Sequence, residues 1–380
     1  MTLNRRQFSA MLALAGVGTM MDARIAHAAL PTHKRLVFII QRGAADGLAT
    51  LIPTGDPDLL RQRRALVAPD AVKLDAMFAL HPALAETAKL YAAKQALFAH
   101  AVASSYRERS HFDGQNILET GGLAAYAAKD GWMNRVIGLF GRDTPKAIAL
   151  APTVATALRG PYPASSYAAS ALPDASADLI QRTAALYEAD PALHAAFSQA
   201  LANRATVGAL AKEGQNGTAI GALAAKLMTG PDAARLVMIE TTGWDTHNQQ
   251  AGRLTTQLKN LDAIIASLKA GLGAEWADTL VLVATEFGRT VAVNGTGGTD
   301  HGTASAAMLL GGGVKGGRVL ADWPGLSQAA LYEGRDLKPT ASLEALISGA
   351  VASHFALDPD RVARAVYPAH KGLKAMTALA

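Results

Sequence analysis

The chain has 380 residues, with 36 Lys and Arg against 31 Asp and Glu, a formal net charge of +5 and no cysteine. That length suits one large domain, or a domain with a substantial insertion. The near balance of charge, with no basic run interleaved with aromatics, is not the footprint of a nucleic-acid binder. The lack of cysteine excludes disulfides and thiolate zinc sites in any compartment.

In chain order, the first signal is N-terminal. Arg5 and Arg6 are adjacent, Phe8 follows two residues on, an apolar run covers 11–21, and Ala26-His27-Ala28 has the small-x-small pattern of a signal peptidase site. Residues 1–28 read as a twin-arginine export signal. The run falls short of the roughly 20 residues that a permanent membrane helix needs. Cleavage would remove three arginines and one aspartate, lowering the charge to +3. The expected location is therefore the periplasm or the exterior of a bacterium. The twin-arginine machinery is an expected partner, and no stable membrane insertion should follow cleavage.

Six short apolar runs closed by Gly, Pro or Ala lie at 35–43, 96–103, 146–152, 235–243, 279–288 and 306–313. Continuous apolar runs of this length predict strands buried on both faces. Helical periodicity separates them. It is clearest over 250–272, where Leu254, Leu258, Leu261, Ile265, Leu268 and Leu272 recur at three- and four-residue spacing. This alternation predicts a doubly wound α/β fold, with a mostly parallel sheet covered by helices on both faces. The Ala-rich stretch 161–230 lacks a strong strand signal and predicts a helical insertion within a single domain over 29–380.

Open α/β sheets bind ligands at the carboxyl ends of their strands. Asp46 follows the first predicted strand, and Asp245 and His247 follow the fourth. Glu286 and Arg289 follow the fifth, while Asp300 and His301 precede the sixth inside a glycine-rich loop. Each acid alone also reads as a cap or turn former. Together they crowd negative charge on one rim, and a divalent cation or a basic substrate would neutralise it. Ser110 precedes a predicted helix and reads either as its N-cap or as a nucleophile at the helix's positive end. His111 reads equally as a packing, supporting or catalytic residue. His81, His354, His370 and Trp132 read as loop, packing or solvated residues, and Trp244 adjoins the proposed site.

The motifs LVFIIQRGAADGL, RSHFDGQ, GWDTHNQQ, TEFGRT and TDHGT, in this order, resemble the alkaline phosphatase and sulfatase superfamily. They resemble more closely an exported bacterial family catalogued as domain of unknown function 1501. The resemblance implies an alkaline phosphatase-like fold, a nucleophile at Ser110 and metal ligands at Asp46, Asp245, His247, Glu286 and His301, with Asp300 or His247 able to compensate for a missing imidazole. Three departures stand out. The Asp245-His247 spacing is shorter than the superfamily's usual one. Glu286-Phe287 replaces the usual Asp-His. Phe112 and Gly114 occupy the places where sulfatase activation needs Pro and Arg. The implied activity is hydrolysis of a small anionic ester, phosphate ahead of sulfate, with Arg289 holding the anion. The implied cofactor is a divalent ion: zinc, calcium or manganese. The alternative is a catalytically degenerate exported binding or assembly factor of the same fold.

Overall fold

In a computed structural model, the described residues are 33–141, 143–168, 176–207 and 216–377. The export signal expected over 1–28 lies outside them. All six predicted strands form, as β1 (Arg35–Gln41), β5 (Ala96–Ala103), β6 (Ala147–Leu150), β8 (Leu236–Thr241), β9 (Thr279–Ala284) and β10 (Ser305–Leu310). Short strands complete the numbering: β2 (Leu51–Ile52), β3 (Val72–Lys73), β4 (Ala79–Leu80), β7 (Ser165–Ser166), β11 (Arg318–Leu320) and β12 (Ala341–Ser342). The main sheet runs β11-β5-β10-β9-β1-β8-β6-β7, with β12 also on β5, and β2, β4 and β3 form a small second sheet.

The helices that position the site or cover the sheet are α1 (His111–Thr120), α2 (Trp132–Gly138), α3 (Ala177–Tyr187), α4 (Pro191–Val207), α5 (Gly217–Leu227), α6 (Gln250–Leu272), α7 (Leu343–Phe355) and α8 (Pro359–Val366). β1 pairs in parallel with β8 on one side and β9 on the other. Its alternating side chains therefore enter two cores. Leu36, Phe38 and Ile40 pack with α2, α7 and α8. Val37 and Ile39 pack with α5 and the leucine stripe of α6. All five are fully buried, and each contributes about 1.5–3 kcal/mol by leaving water. The fold is α/β, mostly parallel, with helices on both faces. Within 161–230, β7 joins the sheet edge beside β6, α3 and α4 follow, and α5 lies in the layer under α6.

β10 is the exception to parallel order, pairing antiparallel with both β9 and β5. A parallel return needs a crossover of a dozen or more residues, normally helical. The link 285–304 contains no helix; it doubles back as an irregular hairpin, with Arg289 bridged to His301. Facing glycines let it close, since a Cβ on Gly288 would strike the Ala304 carbonyl and one on Gly302 the Arg289 backbone. The residues before β10 consequently reach the same rim as those after β1, β5, β8 and β9.

Near that rim β5 bulges: its register with β10 shifts between Ser305 and Ala307, opposite Ala101 at φ 57°. His100 beside the bulge is fully buried. Its Nε2 faces the Leu51 carbonyl at 2.9 Å, and Nδ1 accepts the Ala101 N–H at 2.7 Å. Only the neutral ring satisfies both, and burial pushes its pKa down to about 4. An unfolded histidine titrates near 6.5. This stabilisation is therefore complete above that pH and is lost as pH falls towards 4, a span worth about 3 kcal/mol. Urea unfolding of His100→Gln at pH 7 and pH 4 should show that much less acid sensitivity than the native chain. Identical sensitivity would remove His100 as its source.

Candidate metal centre

Three imidazoles meet over Asp245, and each is aimed by an acceptor on its Nδ1. His111, the first residue of α1, has Nδ1 2.8 Å from Glu286 Oε1 and its ring stacked on Phe287 at 5.1 Å. His301 has Nδ1 2.9 Å from the Arg109 carbonyl. His247 has Nδ1 3.0 Å from Asp300 Oδ1. With the proton drawn to Nδ1 by these acceptors, Nε2 carries the lone pair. Those lone pairs turn towards Asp245: His111 Nε2 is 3.5 Å from Oδ2, and His247 and His301 Nε2 are 3.0 and 3.4 Å from Oδ1.

His111 Nε2 is buried and makes no hydrogen bond. The Nε2 atoms of His247 and His301 stand 3.1 Å apart, a contact between lone pairs that needs a proton or a cation beside it. Ligand atoms of His111, Asp245 and His301 all lie within 4.8 Å of one another. This nitrogen and oxygen donor set, with its Nδ1 partners in place, fits a borderline divalent cation such as zinc.

The electrostatics differ from one member of the cluster to the next. Burial disfavours the charged form of His111, but the hydrogen bond and charge of Glu286 together with the charge of Asp245 outweigh it and raise the pKa. Burial lowers the pKa of His301. Burial opposes the charge on Asp245, yet the hydrogen bond from Arg289 holds its carboxyl below the ordinary range. A cation at His111 Nε2 would compete with the second proton of the charged ring, so its affinity would weaken as pH falls through the raised His111 value.

The structure separates the residues expected on this rim. Asp245, His247 and His301 come together, with Asp300 behind His247. Asp46 is 1 % exposed, and its carboxylate is taken by the Ala49 N–H, Arg63 and Gln250. Glu286 accepts from His111, Gln115 Nε2 and the Gly43 N–H. Both acids face protein donors and stand behind the cluster of His111, Asp245 and His301. Arg289 is likewise engaged by protein groups. Its buried guanidinium donates to Asp245 Oδ1 at 2.6 Å and to the hydroxyl and carbonyl of Thr299, which directs it at Asp245 rather than at an incoming anion.

Ser110 occupies the N-cap of α1 in extended conformation, but its hydroxyl caps no helix amide. A pure capping role does not describe it. Arg109, just before it, sits at φ 61°, and strain of this kind in a non-glycine residue concentrates at functional sites.

A family model matches residues 33–366. The chain belongs to the family described as Protein of unknown function (DUF1501). No curated protein matches the sequence. Among solved structures, this DUF1501 chain is similar to the zinc complex of the C-terminal periplasmic domain of EcEptC from Escherichia coli. The identity is 8 %, the coverage 73 % of this chain and 72 % of that one, and the TM-score 0.37. It is also similar to alkaline phosphatase from the Antarctic bacterium TAB5, at 12 % identity over 77 % and 95 % of the two chains, with TM-score 0.38. A third likeness is to the phosphonate monoester hydrolase of Agrobacterium radiobacter, at 11 % identity over 76 % and 70 %, with TM-score 0.31.

Sequence reasoning missed Asp336, which sits in a turn far from any predicted strand end. It is fully buried. Its Oδ2 accepts from Arg109 Nε at 3.0 Å and Thr303 Oγ1 at 2.6 Å. One carboxylate thus ties the segment carrying His111 to the segment carrying His301. In this DUF1501 chain Asp336→Asn should loosen the Arg109 carbonyl that orients His301 and weaken zinc binding about tenfold. Competition against a chromophoric chelator measures this; native affinity in a folded variant would refute the role.

Proposed function

We propose that this chain is an exported metal-dependent hydrolase of phosphate esters, carried by one α/β domain over residues 29–380 after removal of 1–28. The observation that carries this reading is the convergence of three Nδ1-anchored imidazoles on Asp245, with an uncommitted serine hydroxyl next to His111 in the chain. His111, Asp245 and His301 would hold the cation, with His247 adjoining. A divalent ion there supplies Lewis-acid polarisation of the ester and a lowered pKa for a neighbouring hydroxyl. Ser110 Oγ is the attacking group: its bond to phosphorus forms as the ester oxygen leaves, and water then releases phosphate. Glu286 and the Arg109 carbonyl keep His111 and His301 in the tautomer that presents Nε2. Phosphate is favoured over sulfate because Phe112 and Gly114 stand where a sulfatase nucleophile requires Pro and Arg.

A second reading, an exported binding or assembly factor, is favoured by the inward turn of Asp46, Glu286 and Arg289, which leaves ligands for one cation and no buried arginine for the ester. Elemental analysis with turnover of aryl phosphates and sulfates separates the two. About one metal per chain is expected, and Ser110→Ala should retain it while losing turnover about a thousandfold. Metal without turnover in the native chain would select the binding factor, and a metal-free native chain would overturn both.

Export is tested independently. Arg5→Lys with Arg6→Lys should trap precursor in the cytoplasm, and an unchanged yield of mature protein outside it would refute the twin-arginine route. Among the described residues no helix is long and apolar enough to cross a membrane.

A further inference from the structure

Behind Asp46, away from the metal centre, lies a cavity of 420 Å³. Its walls are the loop 65–69, the turn at His81 and the face of α6 that bears Leu254, Thr255 and Lys259. Asp46 holds these walls together: it caps the turn at Ala49, pairs with Arg63 at the root of the loop and accepts from Gln250 at the start of α6. The cavity is therefore preformed, with the size and largely apolar lining usual for small-molecule sites.

Its polar groups share one character. His81 accepts the Ala83 N–H on Nδ1 at 3.1 Å, so Nε2 carries the proton, and that N–H takes no partner among the described residues. Lys259 is exposed at the cavity and forms no ion pair among the described residues. The Thr255 hydroxyl is already engaged with the Ala251 carbonyl. No carboxylate lines the cavity. A donor and a cation beside Leu66, Val67 and Leu254 complement an anion with an apolar body.

We propose that this cavity binds a small amphipathic organic acid of the medium-chain fatty acid class, its carboxylate meeting Lys259 and the His81 N–H and its chain lying against Leu66, Val67 and Leu254. An uncharged ligand of the same length fills the apolar part but leaves the cation without a partner, so charge is the source of selectivity.

Calorimetric titration of the purified full chain with octanoate should show saturable binding of one molecule, with 1-octanol about tenfold weaker. Lys259→Met should abolish the preference for octanoate. Thr255→Trp, which fills the cavity from α6, should abolish binding of both at an unchanged circular dichroism spectrum. The absence of saturable octanoate binding up to about 10 mM would overturn the proposal. Octanoate binding that survives both substitutions would also overturn it, since that is the result expected of an acid held at the metal centre. If Thr255→Trp fails to fold, the octanoate preference in Lys259→Met decides alone.

Discussion

A buried carboxylate must be satisfied by donors or it destabilises the fold, and the site is organised around one such acid. Glu286 opens the link after β9, is 1 % exposed, and gathers the Gly43 N–H after β1, the His111 ring at the start of α1 and the Gln115 amide one turn further on. These hydrogen bonds outweigh the burial that would otherwise neutralise it, so its pKa is lowered. The same bonds that satisfy the acid join two central strands to α1 and set the tautomer of His111. Fold stability and site geometry are here one requirement.

The second constraint is backbone strain held in place by side chains. Ala44, Arg109 and Gln249 are non-glycine residues with φ of 57°, 61° and 45°, each at the start of a segment that reaches the rim. Such conformations cost about 1–3 kcal/mol and persist only when the surroundings over-determine them. Asp336 does so for Arg109. Around Gln249, the N–H groups of Gln249 and Gln250 donate to the carbonyls of Thr296 and Gly297, docking the start of α6 on the glycine-rich loop. That loop, with its adjacent Asp300 and His301, is shaped to pack against the His247 segment: a Cβ on Gly298 would strike the His247 backbone. Gly298 serves this close approach, while Gly297 supplies a φ of 69° in the turn before it.

The outcome is a centre that is buried behind and open in front. Asp46, Glu286, Arg289 and Asp336 are buried, while the Asp245 side chain keeps 42 % of its exposure. Supporting groups need fixed geometry and a low dielectric to steer the imidazoles. The atoms that meet a cation or a ligand need access.

Much of this was legible from residue order. Strands buried on both faces must be continuously apolar, so all six core strands could be read from their runs, and the stripe of α6 from its period. The rim location of Asp245, His247 and His301 followed from the rule that ligands gather at strand carboxyl ends. The direction of β10 was not legible, because an apolar run carries no sign of its orientation; the lack of a crossover helix in 285–304 decided it. Nor could the sequence tell an acid left open at the rim from one taken up by protein donors. Asp46, Asp245 and Glu286 look alike in the chain, yet their roles depend on donors supplied from 204, 44 and 175 residues away, by Gln250, Arg289 and His111. The sequence by itself determined which residues reach the rim, since strand burial and chain order act locally. Only the tertiary structure decided which acids face inward, because that is settled by which distant hydrogen-bond donors arrive beside them.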